Sequence, residues 1–74
     1  MADMEFLNSR TGAEREVPDA ISVSVSNGAD SISMSPAEFM HNRSKYRGQS
    51  FTVFVESGGG AVFNSDWLVT GVYM

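Results

Sequence analysis

The sequence predicts a small α+β domain: an antiparallel β-sheet in the order ββαβββ, with an extra amino-terminal strand or hairpin as an option, and one α-helix packed on one face. Three observations predict it. Ile21-Ser22-Val23-Ser24-Val25-Ser26 and Ser31-Ile32-Ser33-Met34 alternate apolar and serine residues around Asn27-Gly28, a strong hairpin signal. Ser35-Pro36-Ala37-Glu38 has the residues of a helix start. Valine, isoleucine and aromatic residues outnumber the two leucines, Leu7 and Leu68, a balance that suits pleated sheet.

Residues 1–20 admit two descriptions. Met4 to Asn8 reads as a short strand, Ser9-Arg10-Thr11-Gly12 as a turn, and Ala13 to Val17 as a returning strand. Alternatively, the charged Glu14-Arg15-Glu16 and the break at Pro18 mark a mobile arm whose Phe6 and Leu7 dock elsewhere. Residues 1–20 are therefore treated as an arm or short hairpin, and 21–74 as a single α+β domain.

The hairpin register can be argued from side-chain parity. With Asn27-Gly28 as a two-residue loop, Val23 faces Ile32, Ile21 faces Met34, and Ser22 and Ser24 face Ser33 and Ser31. A four-residue loop from Asn27 to Asp30 also keeps apolar opposite apolar, whereas a three-residue loop sets serine against valine. Because Asn and Gly tolerate positive φ, the shorter loop is favoured. The helix starting at Ser35 should run to Tyr46 or Arg47, closed by Gly48, with His41, Arg43, Lys45 and Arg47 gathering toward its negative end. Phe51-Thr52-Val53-Phe54-Val55-Glu56 then reads as a strand, apolar on one face and mixed on the other. Ser57-Gly58-Gly59-Gly60 is a connection, Ala61-Val62-Phe63 a short return, and Asn64-Ser65-Asp66 a turn. Trp67 to Met74 forms the last strand, with Gly71 a candidate bulge.

Composition narrows the chemistry. With 74 residues the chain is one domain, at a size where a core alone supplies little stability, and with no cysteine it has no disulfide. Association with itself or something larger is the remaining stabiliser. The formal charge is −4, no run is long enough to span a bilayer, and Met1-Ala2-Asp3-Met4-Glu5-Phe6-Leu7 lacks the features of a secretion signal, so a cytoplasmic location is expected.

No catalytic, cofactor-binding or metal-binding residues are assigned. Glu38, His41 and Ser44 are the residue types of a hydrolase triad, but one helix rarely aims both nitrogens of a histidine at two partners. Asp30, Glu38, Glu56 and Asp66 show no metal-ligand spacing. Ser57-Gly58-Gly59-Gly60 lacks the Lys-Ser or Lys-Thr ending of a phosphate loop and is followed by a strand. Asn42-Arg43-Ser44 matches a glycosylation sequon within a helix, and is set aside. Trp67 and Tyr73 share a face only if the last strand is regular, and fit core or interface anchors.

Two sets remain as partner-binding candidates. Arg43, Lys45, Tyr46 and Arg47 form the one basic cluster with an aromatic; its three positive charges, taken out of the net −4, leave −7 elsewhere. It suits an acidic protein surface, phosphates, or the helix terminus alone. Ser22, Ser24, Ser31 and Ser33, with Ser26, form a hydroxylated face with little charge to repel another surface and little side-chain entropy to lose on docking. By size, acidity and lack of cysteine the chain resembles, in a general way, the small accessory proteins of phages and other mobile elements. That resemblance implies a non-enzymatic inhibitor or regulator, for example an anti-defence protein, bound to a larger protein or nucleoprotein complex. A small nucleic-acid binder, or a structural subunit whose edge strands pair between copies as in a homodimer, are the alternatives. No membrane or small-molecule substrate is expected.

Overall fold

The computed structural model describes residues 1–74. It has an α+β fold with strands β1 (Ala2–Asn8), β2 (Glu14–Asn27) and β3 (Asp30–Met34), helices α1 (Pro36–His41) and α2 (Arg43–Tyr46), and strands β4 (Phe51–Val55), β5 (Gly60–Phe63) and β6 (Trp67–Tyr73). All strand pairs are antiparallel, in the order β5-β4-β2-β1-β6, with β3 also on β2.

The fold is organised by β2, which is 14 residues long. Its first half pairs with β1, and its second half lies between β4 and β3. A bulge where Ala2 faces Ala20 but Met4 faces Val17 makes the change. Asp19 takes φ +58 there, its amide donating to Asp3 Oδ1 (3.2 Å) and its carbonyl accepting from the Glu56 amide (3.0 Å). Pro18, which cannot donate, sits at this interruption. The residues from Glu14 to Ala20 are thus the first half of a strand that continues through position 20. Residues 1–20 adopt the strand-turn-strand form, with β1 between β2 and β6.

β5 and β6 are joined by only Asn64-Ser65-Asp66 yet stand at opposite ends of the strand order. The sheet must therefore roll until its two ends meet, an incompletely closed barrel without a hydrogen-bonded ladder across the β5–β6 seam. The rolled interior holds Phe6, Phe51 and Phe63, with Phe6–Phe63 centroids 4.4 Å and Phe51–Phe63 5.0 Å apart. Met4, Val17, Ala20, Val23, Val25, Met34, Val53 and Val69 fill the rest, and Phe39 of α1 packs on Phe51 at 4.9 Å. At the mouth Arg15, opposite Phe6 and so on the inner side, lays its guanidinium 4.3 Å from the Phe63 centroid.

Three local expectations are refined. The hairpin pairs Val23 with Met34, Val25 with Ile32 and Asn27 with Asp30. This is the register of the Asn27-to-Asp30 alternative, tightened by the Asn27–Asp30 pair to a Gly28-Ala29 loop, and not that of the favoured Asn27-Gly28 loop. Gly28 has φ +66 and Ala29 does not have positive φ, the pattern of a type II′ turn, which asks for glycine only at its first position. Asn27 is thereby released to pair across the hairpin. Ile21 does not face Met34; it is the extra residue of a second bulge, between Ala20 and Ser22, and stays 50% exposed. The helical segment is broken at Asn42 (φ −101, ψ 21), whose Nδ2 also donates to the Glu38 carbonyl (2.9 Å). Asparagine competes for backbone partners in this way, dividing one helix into two short ones.

Candidate functional site

Two surfaces gather the candidate residues, one outside the barrel and one beside the helices. The outer one follows from strand parity. Val23, Val25, Phe51, Val53 and Phe63 point inward, so their neighbours point out. Register then aligns Ser33, Ser24, Thr52 and Val62 in one row across β3, β2, β4 and β5. Ser31 and Ser26 pair alongside it, and Ser22 faces Phe54, which faces Gly60. The four serines singled out from sequence, Ser22, Ser24, Ser31 and Ser33, therefore share one face. Among these outward side chains none is charged. Phe54 (40% exposed) and Val62 (74%) stand in solvent among them. Neither was singled out from sequence; the signal was the mixed face of the Phe51–Glu56 segment, which needed its neighbours to be read.

The outer face of β1 and the first half of β2 is different in kind. Asp3, Glu5, Glu14 and Glu16 lie there, with Glu5 directly opposite Glu16. Tyr73 folds its ring over Gly71, where a β-carbon would come within 2.8 Å of it. Hydrogen bonding to Glu5, then the Glu5 charge, raises the phenol pKa above its ordinary 10.0. Gly71 marks the expected bulge: Glu5 faces Gly71 but Phe6 faces Val69. That shift puts Trp67 with the inner set and Tyr73 outside, so the two do not share a face.

The second surface is a cleft of about 200 Å³ between the helices and β6. Three of the four residues of the basic cluster, Arg43, Tyr46 and Arg47, line it together with Phe39, Phe51, Trp67, Leu68 and Val69. Lys45 does not line it; its Nζ lies 5.5 Å from the Tyr46 centroid. The cluster's one side-chain hydrogen bond runs from Arg43 Nη1 to the Met40 carbonyl (3.0 Å), capping α1. The basic cluster and the serine face belong to separate surfaces, because the helices pack against the inner side of the sheet while the serines point outward.

The remaining motifs have structural partners. Ser35 Oγ accepts from the Glu38 amide (3.1 Å) and donates to Glu38 Oε1 (3.3 Å), a cap that occupies the acid of the triad-like set. The glycine-rich segment closes the β4–β5 connection, with the Val55 amide on the Gly59 carbonyl (3.0 Å) and Gly58 at φ +97. Sequence reasoning also passed over Asn8, which is buried and whose Oδ1 accepts from the amides of Arg10 and Thr11 (2.9 and 3.0 Å). No helix is long and apolar enough to cross a membrane. No family model, curated protein or solved structure matches the chain.

Proposed function

We propose that this protein is a non-enzymatic protein-binding module that docks through the outer face of β3, β2, β4 and β5 and acts as an inhibitor or regulator of a larger protein or nucleoprotein complex. One observation carries this reading: an uncharged four-strand face on which Phe54 and Val62 are held in solvent amid serine and threonine. Solvated sheet faces ordinarily carry Lys or Glu, which solubilise them and discourage pairing. The centre of a protein interface, by contrast, is depleted of charge and built around aromatic and apolar anchors. Short hydroxylated side chains lose little rotamer freedom when covered. The acidic patch of Asp3, Glu5, Glu14 and Glu16 disfavours a polyanionic partner, so the nucleic-acid alternative has less support.

A photo-crosslinking residue placed at Ser24 or at Glu16 tests this in the cell that carries the protein. The Ser24 position should capture a defined larger protein and the Glu16 position should not. Adding Phe54→Glu with Val62→Glu should abolish capture while leaving the melting temperature nearly unchanged, since both side chains are exposed. Capture from Glu16 alone, or capture indifferent to the double substitution, would refute the reading. Capture only of a second copy would favour an assembly subunit instead.

A further inference from the structure

We infer that the cleft between the helices and β6 is a second binding site, which takes an acidic peptide segment by seating one apolar side chain between Tyr46 and Trp67 and setting its flanking carboxylates against Arg43 and Arg47. This site is independent of the sheet face, and its size, lining and charge each point to that occupant. At about 200 Å³ the cleft is smaller than the roughly 300–1,000 Å³ of pockets that enclose whole cofactors or drug-sized ligands. It has room for a single anchoring side chain, the usual unit of a peptide hot spot. Its base is apolar, with buried Phe39 and Phe51, while Tyr46 and Trp67 are only half-buried and leave ring surface open to an incoming group.

Charge selects the occupant. Arg43 and Arg47 both line the cleft in a protein whose net charge is −4, so the cleft carries local positive charge against a negative whole. Arg47 makes no side-chain hydrogen bond, and Arg43 commits one nitrogen, Nη1, to the Met40 carbonyl. Donors are therefore left over for carboxylates on both sides of a seated anchor. A nucleic-acid strand would need longer tracks of cations for comparable affinity.

Trp67 is the only tryptophan and lines the cleft, so its fluorescence reports occupancy. The intact protein would be titrated with a capped heptapeptide carrying one phenylalanine flanked by three acidic residues on each side. Controls are the same peptide with alanine at the centre, the same with basic flanks, and an oligothymidine. The acidic phenylalanine peptide should give a saturable change in Trp67 emission. Replacing its anchor by alanine should weaken binding by about tenfold or more, and Arg47→Glu should weaken it by roughly threefold to tenfold, with Arg47→Lys close to the parent. Ser44→Phe, which fills the cleft from an exposed position, should block binding even if Arg47→Glu perturbs the end of α2. The proposal is overturned if no acidic peptide binds at millimolar concentration, if basic flanks or the alanine peptide bind equally, or if only the oligonucleotide binds.

Discussion

Phe6→Ala probes the fold at the position where the amino-terminal segment commits to the core. Phe6 is 1% exposed, lies 4.4 Å from Phe63 and 5.4 Å from Phe51 between ring centroids, and stands opposite Arg15 on β2 and Val69 on β6. Truncating a buried phenylalanine costs about 3–5 kcal/mol through lost transfer energy and the residual cavity. At about 0.05–0.15 kcal/mol per residue the whole domain has about 4–11 kcal/mol in total, so this one change removes a large part of its stability. With an m-value near 1 kcal/mol/M for so small a protein, the urea midpoint should fall by about 3 M or more, or the variant should be unfolded outright. Phe6→Leu keeps most of the volume and should cost about 1.5 kcal/mol or less, giving a measurable midpoint even if the alanine variant does not fold. Urea titration followed by circular dichroism and by Trp67 fluorescence is the assay. A midpoint change below about 0.5 M for Phe6→Ala would refute the placement of β1 in the sheet, because a residue on a loose arm carries almost no stability.

Two further outcomes follow from single contacts. Asn8→Ala should cost about 1–3 kcal/mol by thermal melting, since it strips the Arg10 and Thr11 amides of their shared acceptor at a buried position; a change within about 0.5 kcal/mol, the range of surface substitutions, would show that Asn8 does not hold the turn. Glu5→Gln should bring the Tyr73 titration back down toward 10.0, read by ultraviolet absorbance with Tyr73→Phe as the blank. The sign follows from a raised pKa in the folded state: whatever stability the contact gives is complete below 10.0 and is lost as pH rises through the folded-state value.

What was legible in the sequence was local, and what was not required distant residues to meet. Alternation in Ile21–Ser26 and Ser31–Met34 is a property of neighbouring positions, so the hairpin and its serine face could be read directly. Parity permits both loops, whose registers lie two residues apart, and the structure takes that of the Asn27-to-Asp30 loop, because Gly28 takes positive φ and Asn27 does not. The Ser35 cap on the Glu38 amide was equally local. The division of the helix at Asn42 is the exception: its cause is local, but no proline or glycine marks it and asparagine is tolerated inside helices. The rolling of the sheet depends on Pro18-Asp19 acting as a bulge within one strand, whereas the same proline also reads as a chain break. Phe54 and Val62 became a candidate surface only when Thr52 was set between Ser24 and Val62. The cleft likewise brings Phe39 and Arg47 to Trp67 and Leu68, residues that no window along the chain contains together.

The place of β1 between β2 and β6 has a kinetic consequence. Its pairing with β2 closes a short hairpin, while its pairing with β6 joins Asp3 to Tyr73 across almost the whole polypeptide. Loop-closure entropy must be met in full before that second ladder gives anything back. β1 therefore keeps one bare edge until β6 is available, and closure of the β1–β6 ladder should be a single late and slow event.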